Sequence, residues 1–330
     1  MNWDDQWPIK PDIVLEGGNL VVDETGAALE CEDLSLLSTS HRFHDYGYFS
    51  FINETSAATA QAAWCAAQIL AEYPDFWPET IRALMVHSSR WPEQLKAQFM
   101  KEDTKTAYKR LLRICGYGVP DLKRALYSAS NSLTIVSQAD IQPFCERKTN
   151  EMHLYELPWP TEVLRNLPHD IEVEMRVTLS YFIEPGPGEI GWKDRYRYPS
   201  HLLRFDVIAP EESQDQFVKR LSSAMRADEK DGPGTRSPSE HWVIGSQARD
   251  KGSIHSDIWQ GTAAQLAESN LIAVSPRIGW WRERGFLKRQ NSKTRYSLVV
   301  SIDTPEQSVD LYTPVANQVR ISAPVDIVIT

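Results

Sequence analysis

The chain has 330 residues, enough to bury about three quarters of its unfolded surface in one large or two ordinary domains. Its 42% hydrophobic, 24% charged and 10% aromatic content excludes intrinsic disorder, and a formal charge of −10 argues against a nucleic-acid partner, which would call for clustered Lys and Arg. No apolar stretch approaches the roughly 18 residues that would cross a bilayer, so no membrane partner is expected.

The opening MNWDDQWPIK carries acidic residues and no apolar core, unlike a secretory leader. Cys31, Cys65, Cys115 and Cys145 form no CxxC pair, which disfavours a zinc site or a disulfide scaffold. A reducing cytoplasm is the expected compartment, with no cofactor and no metal.

In chain order, PDIVLEGGNLVV (11–22) predicts two apolar runs around a Gly-Gly turn. Residues 56–72 predict a helix, because Ala58, Ala62 and Ala66 recur at i, i+4 and Ala63, Ala67 and Leu70 line the adjoining face. Tyr73-Pro74 ends it, and Pro78 opens a second helix with Ile81, Leu84 and Met85 as its buried stripe. GYGVP (116–120) predicts a loop, and Asp121 to about Ser128 a short helix.

From about residue 150 the apolar period changes from 3.6 to 2. IEVEMRVTLSYFIEP (171–185), LLRFDVIAP (202–210), HWVIGS (241–246), LIAVSPRIGWW (271–281), RYSLVVSID (295–303), VDLYTPV (309–315) and DIVIT (326–330) all predict strands. TAAQLAES (262–269) predicts one short helix, and MRADEKDGPGTRSPSE (225–240) a charged loop. The expected fold is therefore α/β, a small parallel sheet with helices over 1–150, followed by an all-β sandwich over 151–330.

Chemistry concentrates at Glu54-Thr55-Ser56-Ala57-Ala58-Thr59-Ala60. A serine at a helix N-terminus sits among unpaired first-turn amides and the positive end of the dipole, where an oxyanion can be held. Small residues behind it let a carbonyl approach. The plainer alternative is that Thr55 or Ser56 is an N-cap and the alanines are helix formers.

KPDIV (10–14) followed some forty residues later by TSAATAQAA resembles the subtilisin-like serine peptidases, in which a lysine-proline-aspartate strand precedes Gly-Thr-Ser-x-Ala-x-Pro. WPETIRALMVHSS and GYGVPDLKRAL look like the segments that follow the nucleophile, so the resemblance covers about residues 8 to 130. It implies that Ser56 is the catalytic nucleophile of a peptidase acting on a polypeptide substrate. The β-rich remainder looks like the accessory domain of large bacterial subtilases.

Glu54 stands where the family has glycine, and a positive φ there would strain it. Ala60 replaces the family's proline. In this family the triad runs Asp, His, Ser along the chain, with Asp and His well over a hundred residues before the serine. The resemblance therefore implies that a missing N-terminal segment or a partner chain supplies Asp and His, together with the oxyanion asparagine, and that the isolated chain is inactive. A non-catalytic interaction subunit and one half of a split enzyme are the alternatives. An AAA-class ATPase in phage defence is a partner implied by the resemblance alone.

His41 and His44 precede the motif and are within chain reach of Ser56. His87 is expected to pack, and Asp12 to be structural. His255 and Asp257 are too few for a metal site. The aromatics of GWWRER, HSDIW and RYRYPSHLLRF are expected in a core, with a binding patch as the alternative.

Overall fold

In the computed structural model of the chain, the described residues are 9–126, 132–146, 148–159, 161–168, 171–187, 198–229, 238–303 and 325–328. They build a mixed α/β molecule of helices and antiparallel sheets.

Residues 9–126 hold two small hairpins and most of the helices. β1 (Leu20–Val22) pairs with β2 (Ala28–Glu30), and β3 (Leu36–Thr39) with β4 (Phe49–Ile52) around the one-turn helix α1 (Phe43–Tyr46). The helices α2 (Thr55–Glu72), α3 (Pro78–Ser88), α4 (Glu93–Phe99), α5 (Lys105–Cys115) and α6 (Leu122–Leu126) follow. α2 begins one residue before the predicted start and ends where predicted, and α3 begins at Pro78 as predicted. Tyr73 closes α2 by donating its amide to Ile69 O, and Pro78 sits in the first turn of α3, where a missing N–H is harmless. Beyond them, residues 127 and 128 of the predicted short helix lie outside the described residues.

The central structure is two four-stranded sheets. One has the order β10 (Leu202–Val207), β12 (Leu271–Arg277), β8 (Glu151–Glu156), β14 (Val325–Val328). The other runs β11 (Ile254–Thr262), β9 (Glu172–Tyr181), β13 (Thr294–Asp303), β5 (Ser132–Ile141), so a strand before residue 150 lies in the same sheet as strands after it. A ribbon of β6 (Phe144–Cys145) and β7 (Lys148–Thr149) adjoins them. The sheets share one apolar core. Tyr155, Phe205 and Ile272 of the first meet Val173, Val177, Leu179, Tyr296 and Val300 of the second.

Alternation along β9 and β13 decides what lies outside that core. Val173, Met175, Val177 and Leu179 face inward, so Arg176, Thr178 and Ser180 fall on the opposite face. α3 packs there, with Ala83 and Leu84 against Val299. On the far side of the first sheet lies α8 (Gln214–Glu229), whose Phe217, Leu221 and Met225 at i, i+4, i+8 meet Met152, Leu154 and Ala273. The molecule is thus layered: α8, sheet, shared core, sheet, α3, with α2 outermost.

Four expectations are corrected. Every strand pair among the described residues is antiparallel, so the small parallel sheet expected within 1–150 does not form. Instead, residues 12–14 lie extended along the GYGVP loop, with Tyr117 N donating to Asp12 O at 2.8 Å and Val14 N to Gly118 O at 3.0 Å. The second half is not all-β, since it also carries α7 (Thr161–Asn166), α8, α9 (Ser246–Arg249), α10 (Ala263–Glu268) and α11 (Trp280–Glu283). HWVIGS forms no strand, only a bridge from Trp242 to Trp259, because Asp257 takes the amides of Ile244 and Gly245 out of ladder register. Of the charged loop, 225–229 belongs to α8 and 230–237 lies outside the described residues, as does VDLYTPV. The helix at 262–269 is present as α10, with Thr262 and Gln265 forming a capping box.

Candidate active site

Ser56 is the second residue of α2, and it is exposed. Neither it nor Thr55 is the cap. The cap position belongs to Glu54, whose φ of −149° and ψ of 156° are ordinary extended backbone. The strain expected of a glutamate in place of glycine is therefore absent. No side chain caps this end, so first-turn amides remain available to an incoming anion. Ala57 N is engaged by Glu54 O at 3.1 Å.

The approach of residues 16–19 fixes this helix end. Asn53 Nδ2 donates to Asn19 O and Gln61 Nε2 to Glu16 O, both at 2.6 Å. Gly17 and Gly18 make the approach possible. A Cβ on Gly17 would press on Glu54 O, and Gly18, at φ +87°, would drive one into the Asn53 side chain. The Gly-Gly turn and the Ser56 motif are thus one construction.

The hydroxyl of Ser56 donates to Glu54 Oε2 at 3.1 Å. No histidine is hydrogen-bonded to it among the described residues. His41 and His44 are exposed around α1, and the structure gives neither a contact with Ser56. His87 is buried between α3 and the sheet, its ring nitrogens 2.9 Å from Thr178 Oγ1 and 2.8 Å from Ser301 Oγ. Burial, then the nearby Arg176, Arg90 and Arg124, push its pKa well below 6.5, so it is a neutral packing residue. Asp12 joins Lys10 at 2.8 Å and Arg82 at 3.3 Å, which ties the KPDIV segment to α3.

His255 and Asp257 are buried in β11. His255 meets Gly252 O, and Asp257 accepts from Ile244, Gly245 and Ile258 amides and faces Arg249 at 3.6 Å. These are structural contacts. Among the described residues no group of three or more His, Cys, Asp or Glu is placed to hold a metal ion. Trp280, Trp281 and Trp259 are buried. No helix of the described residues is long and apolar enough to cross a membrane.

A groove of about 570 Å³ runs between α2 and α3, lined by Ala66, Ala67, Leu70, Ile81, Arg82 and Met85 among others. Ser56 is not on its wall. Ala66 lies ten residues further along α2, about 15 Å at 1.5 Å per residue. The groove is a feature of the helix pair and not of the serine. Sequence reading missed both the Ser56–Glu54 contact and this groove. An acidic residue two positions before the serine was the one signal for the first.

Residues 1–118 match the subtilase family. Over 176 residues the chain is 27% identical to the uncharacterized protein y4bN of Sinorhizobium fredii (strain NBRC 101917 / NGR234), an alignment covering 52% of this chain and 38% of that protein. The chain thus matches well under two thirds of that relative's length. The matched residues contain KPDIV, the Ser56 motif and the first part of GYGVP, so the subtilisin-like resemblance is shown for the segment that carries them.

Proposed function

We propose, from that family match and the geometry at residue 56, that the chain is the nucleophile-bearing portion of a subtilisin-like serine endopeptidase. The observation that carries this reading is an exposed serine at an uncapped helix N-terminus, inside the matched residues. Ser56 Oγ would attack the carbonyl of a polypeptide substrate as its proton passes to a histidine. The Ser56 amide would donate to the developing oxyanion. The histidine and its aspartate come, in this reading, from polypeptide outside these 330 residues. The absence of any histidine contact to Ser56 among the described residues supports that part.

The β-rich region, two stacked antiparallel sheets with helices on their outer faces, serves as an accessory sandwich. A cytoplasmic setting and an AAA-class ATPase partner in phage defence belong to the same reading and rest on resemblance alone. The second reading, an interaction or regulatory subunit without peptidase activity, is favoured by the same lack of a base.

A peptidase assay separates them. The isolated chain is expected to cleave little, since a serine without its base retains only about 10³–10⁴-fold over water. Activity that appears when a polypeptide bearing the Asp and His is added, and that is lost in Ser56→Ala, supports the peptidase. Inactivity in every combination favours the interaction subunit. Robust Ser56-dependent cleavage by the chain alone would overturn the assignment of the base to another polypeptide.

A further inference from the structure

We propose that Glu54 is a latch on Ser56: its carboxylate accepts the hydroxyl proton's hydrogen bond and sets a resident negative charge beside the positive helix end that an oxyanion would need. The inference rests on the reading of Ser56 as nucleophile and deepens it.

Three observations carry it. The Ser56 hydroxyl donates to Glu54 Oε2 at 3.1 Å, and Glu54 is its one hydrogen-bond partner among the described residues. Glu54 caps none of the first-turn amides with its side chain, so the carboxylate engages the serine and not the backbone. The glutamate also serves no backbone need. Its φ of −149° suits any residue, and the local chain is pinned by Asn53, Gln61 and the Gly17–Gly18 approach and not by its side chain.

The chemistry follows from charge. When Oγ attacks an electrophile, negative charge develops within a few ångströms of the Glu54 carboxylate. Like charges that close repel, and even at this exposed site the repulsion is large enough to slow the step about tenfold. The hydroxyl proton must also leave Glu54 before another base can take it. An approaching base therefore has two jobs at this serine, to displace the carboxylate and to accept the proton.

The test uses the full chain and a neutral fluorophosphonate probe, with imidazole added as a diffusible base. Ser56 Oγ displaces fluoride at phosphorus, its proton passes to imidazole, and mass spectrometry reads the labelled peptide. Glu54→Gln removes the charge at nearly constant size, and Glu54→Gly restores the residue that the motif has elsewhere. Both are expected to label Ser56 about tenfold faster than the unaltered chain. Because the effect is one of charge, about 1 M salt, with a Debye length of about 3 Å, should speed the unaltered chain and leave Glu54→Gln unchanged. A merely structural glutamate would not produce that difference in salt response. Slower or equal labelling of Glu54→Gln overturns the latch while leaving Ser56 a nucleophile. Absence of Ser56 labelling in every variant, each shown folded by circular dichroism, sinks both readings.

Discussion

Burial keeps His201 neutral in the folded chain. It has no exposure, packs on Trp281 and Tyr181 and shares one hydrogen bond with Ser200, and its burial lowers the pKa from 6.5 to about 3. Between those values the unfolded chain binds a proton that the folded chain does not. Stability therefore rises with pH in this window and is lost as pH falls below 6.5, at about 1.4 kcal/mol per unit. From pH 6.5 to 5 this one residue costs about 2 kcal/mol. His255, lowered to about 4, and His87 act in the same direction. His201→Phe keeps the ring and removes the titration. Urea unfolding should find it about 1 kcal/mol less stable at pH 7, for the lost hydrogen bond. Its decline between pH 7 and 5 should be shallower by one proton, and an unchanged slope would mean that His201 is already charged in the fold. None of this was legible in the sequence, where single histidines look alike. What separates His201 and His87 from His41 and His44 is burial by residues far away in the chain. The position of Ser56 in the first turn of a helix was legible because its motif is local, but the backbone at Glu54 was not, since a motif cannot show which side of zero φ will fall.

Element bounds were readable wherever one local signal sufficed. Thr55–Glu72 and Pro78–Ser88 are set by a proline, an alanine run and a 3.6 period, β9, β10 and β13 by period-2 runs, and β12 by a continuous apolar run. Pairing was not readable. Whether strands run parallel is decided by which distant segments meet, and here Asp12–Val14 meets the GYGVP loop and not a neighbouring strand. Two glycines make that junction. Gly116 at φ +55° and Gly118 at φ +98° are left-handed, and a Cβ on Gly118 would strike the Arg90 carbonyl, whose bond to Val119 N at 2.8 Å joins the loop to the end of α3. Gly118→Ala therefore combines backbone strain with a backbone clash. It should cost at least about 2–3 kcal/mol, read as a lower urea midpoint. Gly26→Ala is the control, since its φ of +85° carries similar strain but its Cβ would meet nothing. Its cost should stay near 1 kcal/mol. Equal losses in the two variants would show that the clash at Arg90 is relieved elsewhere.

Across the whole molecule, apolar exposure is uneven. Of the sixteen large apolar side chains left exposed among the described residues, thirteen precede residue 120. α2 concentrates the effect. Glu72 is its one charged residue, only Cys65 and Ile69 are buried, and Ala60, Ala63, Trp64, Ala67 and Leu70 form an exposed stripe at helical spacing. The two hairpins add Leu20, Val22, Leu37, Phe49 and Phe51, on two-stranded ribbons that are marginal in water by themselves. Surfaces of this kind favour association. Sedimentation of the chain alone should therefore show self-association that grows with concentration. Trp64 and Leu70 are 56% and 47% exposed, so Trp64→Gln with Leu70→Gln removes apolar surface at little cost to the fold, about 0.5 kcal/mol or less each. The double variant should sediment more nearly as a monomer while its urea midpoint stays within that range. In the peptidase reading, a polypeptide bearing the Asp and His should form a complex with the unaltered chain and a weaker one with the variant. Monomers at every concentration, together with undiminished complex formation by the variant, would show that the exposed face of α2 is not the contact surface. The hairpin residues Phe49 and Phe51 would then be the next to replace.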